Sequence, residues 1–501
     1  MTTSHPRTWC RSFETSPAPS AETDVIVCGY GGAGAAAALE ARRAGCEVMV
    51  LERASGGGGA TAMSSCEMYL GGSGGTALQK DLGLEDSTDN FVAYLTECFG
   101  PHGDPAKIKA YAEGAAAHFD WVESLGVPYK REAIYERVVE PFGDESLLYT
   151  GNERAWPFCD HIPPVPRGHV PSKEGNEGGR IFMQALMATV EAEGVTVQTD
   201  ARVVALLQDA SGRVRGVIAR IDGQEQAIHA RRGVVLTAGG FVMNRDMIER
   251  HAPQVTDYAE PYGSPHDMGD GIQMGVAAGG HAINMSEVFL SLALYPPACS
   301  TFGILVNRYG QRFVNEDAYL ARLAHYAAQQ DGQEIYLLVQ NEDFEMSPYL
   351  EPPRIVGTGD TIEEVEAESP LPAGTLQHTV AYYNAHAEKG EDPLFHKSAD
   401  WLKPIVNGPF ALVSYAPADM KYHFGENPGY LMFTLGGLET SVDGEVLTPQ
   451  GEPVPGLFAA GRTTAGLPRT SKGYASGMSV GDATFFGRLA GQRVAQEPSE
   501  G

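Results

Sequence analysis

The stretch RTSKGYASGMSVGDA (469–483) sets Tyr474 and Ser476 almost side by side on a glycine-rich turn that feeds a helix. A turn of this kind offers unpaired N–H groups and a partial positive charge to an anionic cofactor edge. A site for a charged acid would carry arginine or histidine there. A phenol and a serine hydroxyl suit an uncharged carbonyl instead. Ser476 also has a plainer reading, as a cap for the helix that follows.

The cofactor edge has a second landmark in DVIVCGYGGAGAAAALEARRAGCEVMVLER (24–53). An apolar strand runs into Gly29-x-Gly31-x-x-Gly34, an alanine-rich helix follows, and a second apolar strand ends at Glu52. Gly29 permits the tight turn, Gly31 lets the backbone approach a pyrophosphate, and Gly34 lets the helix pack on the strand. Glu52 stands where an acid accepts hydrogen bonds from a ribose diol. This is a dinucleotide site. The next stretch, ASGGGGATAMSSCEMYLGGSGG (54–75), is unusually long for an NAD enzyme, and its amides and hydroxyls can wrap a diphosphate beneath a bulky ring. FAD is therefore expected over NAD, and the lack of histidine in the tract points to non-covalent binding.

Around these landmarks the chain organises as an α/β protein. Residues 84–125 carry helical periodicity broken near 100–105, 140–180 reads as loop, and 180–207 reads as helix then strand. Residues 212–241 read as a β-meander returning to a buried strand that ends at Ala238-Gly239-Gly240. A turn and helix follow at 269–284. The expected division is a flexible leader over 1–22, a Rossmann-like FAD-binding domain over 23–284 and 411–498, and an inserted α+β substrate cap over 285–410. The domain has a parallel sheet and the meander. No second GxGxxG unit is present, so a reducing NAD(P)H site has no evident home.

The 501 residues carry a formal charge of −28, which repels phosphate backbones and anionic lipid and argues against nucleic acid partners. Seven scattered cysteines without CxxC pairs fit a reducing compartment and argue against structural metal or disulfides. No run of about 18 apolar residues implies a membrane span. A cytoplasmic protein is expected.

The order GxGxxG…Glu, GGGGATAMSS, TAGGF, GDGI, RFVNEDAY, GGLETSVDG and GLFAAGRTTAG…GYASGMSVGDATFFGRLAG resembles the FAD-dependent fumarate reductase/succinate dehydrogenase flavoprotein superfamily. Within it the chain is most similar to the 3-ketosteroid Δ4-(5α)-dehydrogenases, on Tyr319 of NEDAY and on Tyr474 and Ser476 of GYAS. Fumarate reductase-like members hold a dicarboxylate with the arginine of GxNRLGGN, and counting back from Asp482 puts Tyr474 at that position. An arginine–carboxylate pair is worth roughly 1.5–3 kcal/mol, so its loss leaves little grip on fumarate.

The resemblance implies removal of hydrogens from carbons 4 and 5 of a 3-keto-5α-steroid, followed by reoxidation by an external electron acceptor the sequence does not identify. Tyr474 would hold the ketone, and Tyr319, assisted by Ser476, would take the α-proton, with the reverse split of those two left open. Tyr319 also reads as a core tyrosine bonded to backbone. The residues implied at the cofactor are Gly29, Gly31, Gly32, Ala33, Gly34, Glu52, Arg53, Ala60, Thr61, Ser64, Gly71, Gly72, Val203, Ala238, Gly239, Asp270, Gly461, Arg462, Gly477, Met478 and Ser479. The expected substrate slot is charge-free, with hydroxyls as its only polar groups. Alternatives are a 3-ketosteroid Δ1-dehydrogenase, whose tyrosine motif has glycine where Met478 stands here, then an enoate reductase, then a flavin-binding protein without turnover.

Overall fold

The computed structural model describes residues 8–173 and 177–499. Its organising element is the strand Ala21–Cys28, in which Val25, Ile26 and Val27 are wholly buried. An uninterrupted apolar run is what a parallel strand covered on both faces requires. Val48–Leu51 pairs with it on one side and the far half of Gln224–Leu236 on the other, both parallel. Thr196–Gln198 and Pro453–Ala459 extend this parallel sheet at its two flanks. The near half of Gln224–Leu236 turns antiparallel against Val214–Ile221, which pairs with Arg202–Gln208. One long strand thus serves both the dinucleotide sheet and the meander.

The helices Gly32–Arg43 and Met478–Val494 lie against each other, and small residues let them come close. A methyl added at Gly487 or Gly491 would strike the backbone of Ala33 or Ala37. Residues from opposite ends of the sequence therefore meet beneath the cofactor groove.

A four-stranded antiparallel sheet forms from Ile304–Asn307, Ile335–Gln340, Phe410–Ser414 and Ile355–Gly359. Val365, Leu376 and Val380, from the helices Ile362–Glu368 and Thr375–Ala387, share a buried cluster with Ile304, Val306, Leu338 and Leu412. The boundary expected at residue 410 cuts through this sheet. Phe410–Ser414 pairs on both edges within this sheet, and Phe410 and Leu412 fill that cluster.

The leader also differs from expectation. Its residues 1–7 lie outside the described residues, but Cys10–Ser12 forms a strand parallel to Leu206–Gln208. Arg11 is tied to Glu225 at 2.7 Å, and the main-chain ladder fixes the segment against the meander. Among the described residues no helix is long and apolar enough to cross a membrane.

A buried ion pair anchors the region between the glycine tract and the helix Thr88–Phe99. Arg167 donates two hydrogen bonds to Asp86, each 2.7 Å, and neither side chain is exposed to solvent. Asp86 also accepts from the Gly72 N–H. Removing one partner of a buried pair leaves the other charge uncompensated, at a cost of about 3–5 kcal/mol. Asp86→Ala should lower the free energy of unfolding, extrapolated from urea titration followed by tryptophan fluorescence, by that amount.

Candidate active site

The turn after Ala21–Cys28 opens onto a cavity of about 560 Å³ that runs from the dinucleotide motif to Tyr319, Tyr474 and Ser476. Gly29 has φ +111° and abuts the Thr237 carbonyl, so only glycine makes this turn without strain. Gly31 differs. Its backbone is extended, and an added methyl would find its nearest protein atom 3.8 Å away. The open space there is a cradle sized for a ligand rather than for the protein itself. The helix Gly32–Arg43 begins there with no side-chain cap and no acid in its first turn, and Met478–Val494 begins the same way after Gly477. Uncapped N-termini suit a diphosphate. The Gly58 N–H donates to the Tyr30 carbonyl and folds the glycine tract over this turn.

Glu52 accepts from the N–H groups of Tyr30 at 2.7 Å and Ala54 at 2.8 Å. It fixes the loop and retains lone pairs for a diol. Arg202 donates to Asp270 at 2.7 Å, with Arg53 3.7 Å from the same carboxylate, and Arg462 donates to Asp267 at 2.6 Å. Gly32, Ala33, Ala60, Thr61, Ser64, Val203, Ala238, Gly239, Gly461, Gly477 and Ser479 also line the cavity.

Four expected cofactor residues do not line it. Gly34 packs the helix onto the Gly29 carbonyl. Gly71 and Gly72 turn away, because added methyls would collide with Asp86 and with the Ala112 carbonyl, and their smallness serves packing. Met478 is wholly buried at the helix start and points into the core.

At the far end, the Tyr319 hydroxyl and Ser476 Oγ lie 2.6 Å apart. The structure therefore gives the Tyr319 phenol a side-chain partner, and Ser476 does not cap the following helix. Ser476 is pinned by Thr150, which accepts from its N–H and donates Oγ1 to its carbonyl, each at 2.9 Å. Tyr319 is held by its N–H, which donates to Asn152 Oδ1 at 2.9 Å. Just before it, Arg137 donates to the carbonyls of Glu316, Asp317 and Ala318. Arg312 clasps both Glu316 and Asp392 through two hydrogen bonds each, with Lys397 3.4 Å from Glu316. The charged letters of RFVNEDAY thus hold the loop, and its tyrosine faces the cavity.

The Tyr474 hydroxyl donates to Ser479 Oγ at 2.9 Å, a partner the sequence reading did not anticipate. Burial pushes this phenol up to about 12, and pushes Tyr319 well above its ordinary value. Tyr474 packs edge-on against Phe289 and Phe433, which stack with centroids 4.3 Å apart. Tyr349, Tyr422 and Leu431 continue the wall.

The slot is not charge-free. Glu67 and Glu140 line it, and burial pushes both carboxyls up, Glu67 to about 8. The arginines among the described lining residues are Arg53, Arg202 and Arg462, and each faces an aspartate. No guanidinium clamp for an anion is formed by those residues. The sequence reading missed Glu67, although it is the only charged residue of 54–75, and it missed the aromatic wall, whose members are scattered without periodic spacing.

Residues 24–477 match the family described as FAD binding domain. The chain belongs to that family. This flavoprotein is similar to the 3-ketosteroid-Δ4-(5α)-dehydrogenase of Rhodococcus jostii RHA1, solved in complex with 4-androstene-3,17-dione. The TM-score is 0.90 and identity 41%, over 98% of this chain and 100% of that one. It is 26% identical to the 3-oxo-5-alpha-steroid 4-dehydrogenase of Comamonas testosteroni, over 88% of this chain and 92% of the relative. It is also 28% identical to the urocanate reductase of Eggerthella lenta, over 95% and 75%. FAD is the cofactor, and the open cradle at Gly31 fits its pyrophosphate.

The cradle carries a direct test. Gly31→Val brings its Cβ no closer than an ordinary 3.8 Å contact with protein, so the protein should fold, yet the side chain would occupy the diphosphate position. The purified variant should lack visible flavin absorbance while its far-UV circular dichroism matches that of the flavin-free parent.

Proposed function

We propose that this flavoprotein dehydrogenates a 3-keto-5α-steroid between carbons 4 and 5, yielding the 4-en-3-one. The observation that carries the reading is the Tyr319–Ser476 hydroxyl pair at 2.6 Å, in the same aromatic-walled cavity as Tyr474. An apolar slot with phenolic donors accepts a neutral ketone, whereas the described lining residues form no guanidinium clamp to hold a dicarboxylate. The similar Rhodococcus enzyme, with androstenedione bound, supports the steroid class.

Tyr474 turns its hydroxyl from Ser479 to the ketone oxygen and stabilises the charge that develops there as the α-proton leaves. Tyr319 and Ser476 receive that proton between them, and the burial of the Tyr319 phenol limits competing water. When bound, FAD supplies the hydride acceptor for the β-hydrogen. Gly29, Gly31, Gly32, Glu52 and Gly477 would hold it, from the diphosphate cradle to the ring end of the groove. Residues 285–414 act as the substrate cap, closing the slot with the loop that carries Tyr319. The seven free cysteines suit work in the reducing cytoplasm.

Anaerobic mixing with 5α-androstane-3,17-dione tests this reading. The flavin should bleach and the recovered product should be the 4-ene; a 1-ene product, or no bleaching with any 3-ketosteroid, would sink it. Tyr474→Phe should retain FAD and slow bleaching by about 10²–10³-fold, the usual cost of one oxyanion donor.

A further inference from the structure

We infer that Glu67 is the proton acceptor behind the Tyr319–Ser476 pair, taking through Ser476 the proton that the ketone's α-carbon releases. The inference rests on the ketosteroid reading above and adds to it where the proton goes.

Two hydroxyls can pass a proton but cannot keep one. Each has a single proton of its own, and each must surrender it as it receives another. The phenol of Tyr319 lies well above its ordinary value through burial, reinforced by Tyr295 and Glu67, so it does not stand as phenolate at neutral pH. A serine hydroxyl is a weaker acid still. A chain of hydroxyls therefore needs a terminal base within reach.

Glu67 is placed to be that base. It lines the same cavity as Ser476, and Gly477, the residue after that serine, lies so close to the Glu67 backbone that an added methyl would come 2.9 Å from the Glu67 carbonyl carbon. Glu67 directly precedes the strand Met68–Tyr69, whose Tyr69 N–H donates to the Gly477 carbonyl at 3.1 Å, tying the carboxyl's backbone to the serine's turn. Its Oε1 is buried and has no hydrogen-bond partner among the described residues. A buried, unpartnered carboxylate oxygen is costly unless it has work to do or is protonated.

The surroundings keep both protonation states accessible. Burial and then Glu140 push the Glu67 carboxyl up to about 8, against the opposing pull of Ser476, Lys173 and Ser65. Its charge in turn raises the Tyr295, Tyr319, Tyr349 and Tyr474 phenols and the Cys66 thiol around it. In the step, the α C–H bond breaks and its electron pair becomes the enolate. The proton joins an oxygen of the hydroxyl pair, whose own proton crosses to Glu67, turning carboxylate into acid. The β-hydrogen leaves as hydride to the bound flavin, the two-electron oxidant, and the enolate pair closes the new double bond. Because the carboxylate is the working form, the rate should rise with pH and level off above about 8.

The test separates proton movement from hydride transfer. Holoenzyme with its flavin reduced by dithionite cannot accept hydride, so it can only exchange the α-hydrogens of 5α-androstane-3,17-dione with D2O, read by mass spectrometry. Wild type should exchange; Glu67→Gln should exchange at least 100-fold more slowly, while keeping FAD and binding 4-androstene-3,17-dione normally. With oxidised flavin, the pH limb of anaerobic bleaching near 8 should vanish in Glu67→Gln. Glu67→Asp, which keeps an acid, should retain a limb at reduced rate, and it serves should the glutamine variant not fold. Wild-type exchange matched by Glu67→Gln, or an unchanged pH limb in it, would overturn this inference alone. A wild type that exchanges and bleaches with no ketosteroid overturns the substrate reading and the inference together.

Discussion

The proposed chemistry depends on holding two hydroxyls from distant parts of the chain in contact. Tyr319 and Ser476 are separated by more than 150 residues, and their oxygens lie 2.6 Å apart. Such contact survives only if both backbones are fixed. On one side the Arg137 fork grips three successive carbonyls, and its planar geometry makes that grip directional. On the other, Thr150 uses its backbone carbonyl and its side chain against Ser476. The Arg312–Glu316–Asp392–Lys397 cluster stands behind the first grip and is almost wholly desolvated. A buried cluster of this kind is weak evidence for stability but does fix geometry when every member is paired.

The cofactor half of the site could be read before the fold was seen, because its logic is local. Gly29, Gly31 and Gly34 sit within one strand–turn–helix, and their spacing announces the turn even though the close neighbour of Gly29 is the distant Thr237 carbonyl. Tyr474 and Ser476 were visible for the same reason, lying on a turn whose glycines announce a close approach. What failed was long-range. Gly71 and Gly72 look like ligand glycines in sequence, yet their neighbours are Asp86 and Ala112, which no local pattern names. The aromatic wall draws Phe289, Tyr349, Tyr422 and Phe433 from different elements of the inserted and returning segments. The division expected at residue 410 falls inside a sheet because Phe410–Ser414 pairs with partners lying on both sides in space but all before it in sequence.

Charge is divided along the cavity. The arginines lie among the cofactor-groove residues and are each matched by an aspartate, whereas the substrate end carries phenols, a serine and two carboxyls. In an apolar setting a carboxyl tends to take up its proton, so the substrate end can be electrically quiet at rest and still hold a latent base.

The short strand Cys10–Ser12 carries a last consequence. It occupies the outer margin of the meander, filling a row of main-chain groups that Leu206–Gln208 would otherwise offer to solvent. A polypeptide shortened to start at Ala21 would retain every residue named at the flavin groove yet leave that row of main-chain groups unpaired, a template for sticking to other copies of itself. Cys10–Ser12 thus covers part of the sheet margin, a task separate from the chemistry of the groove.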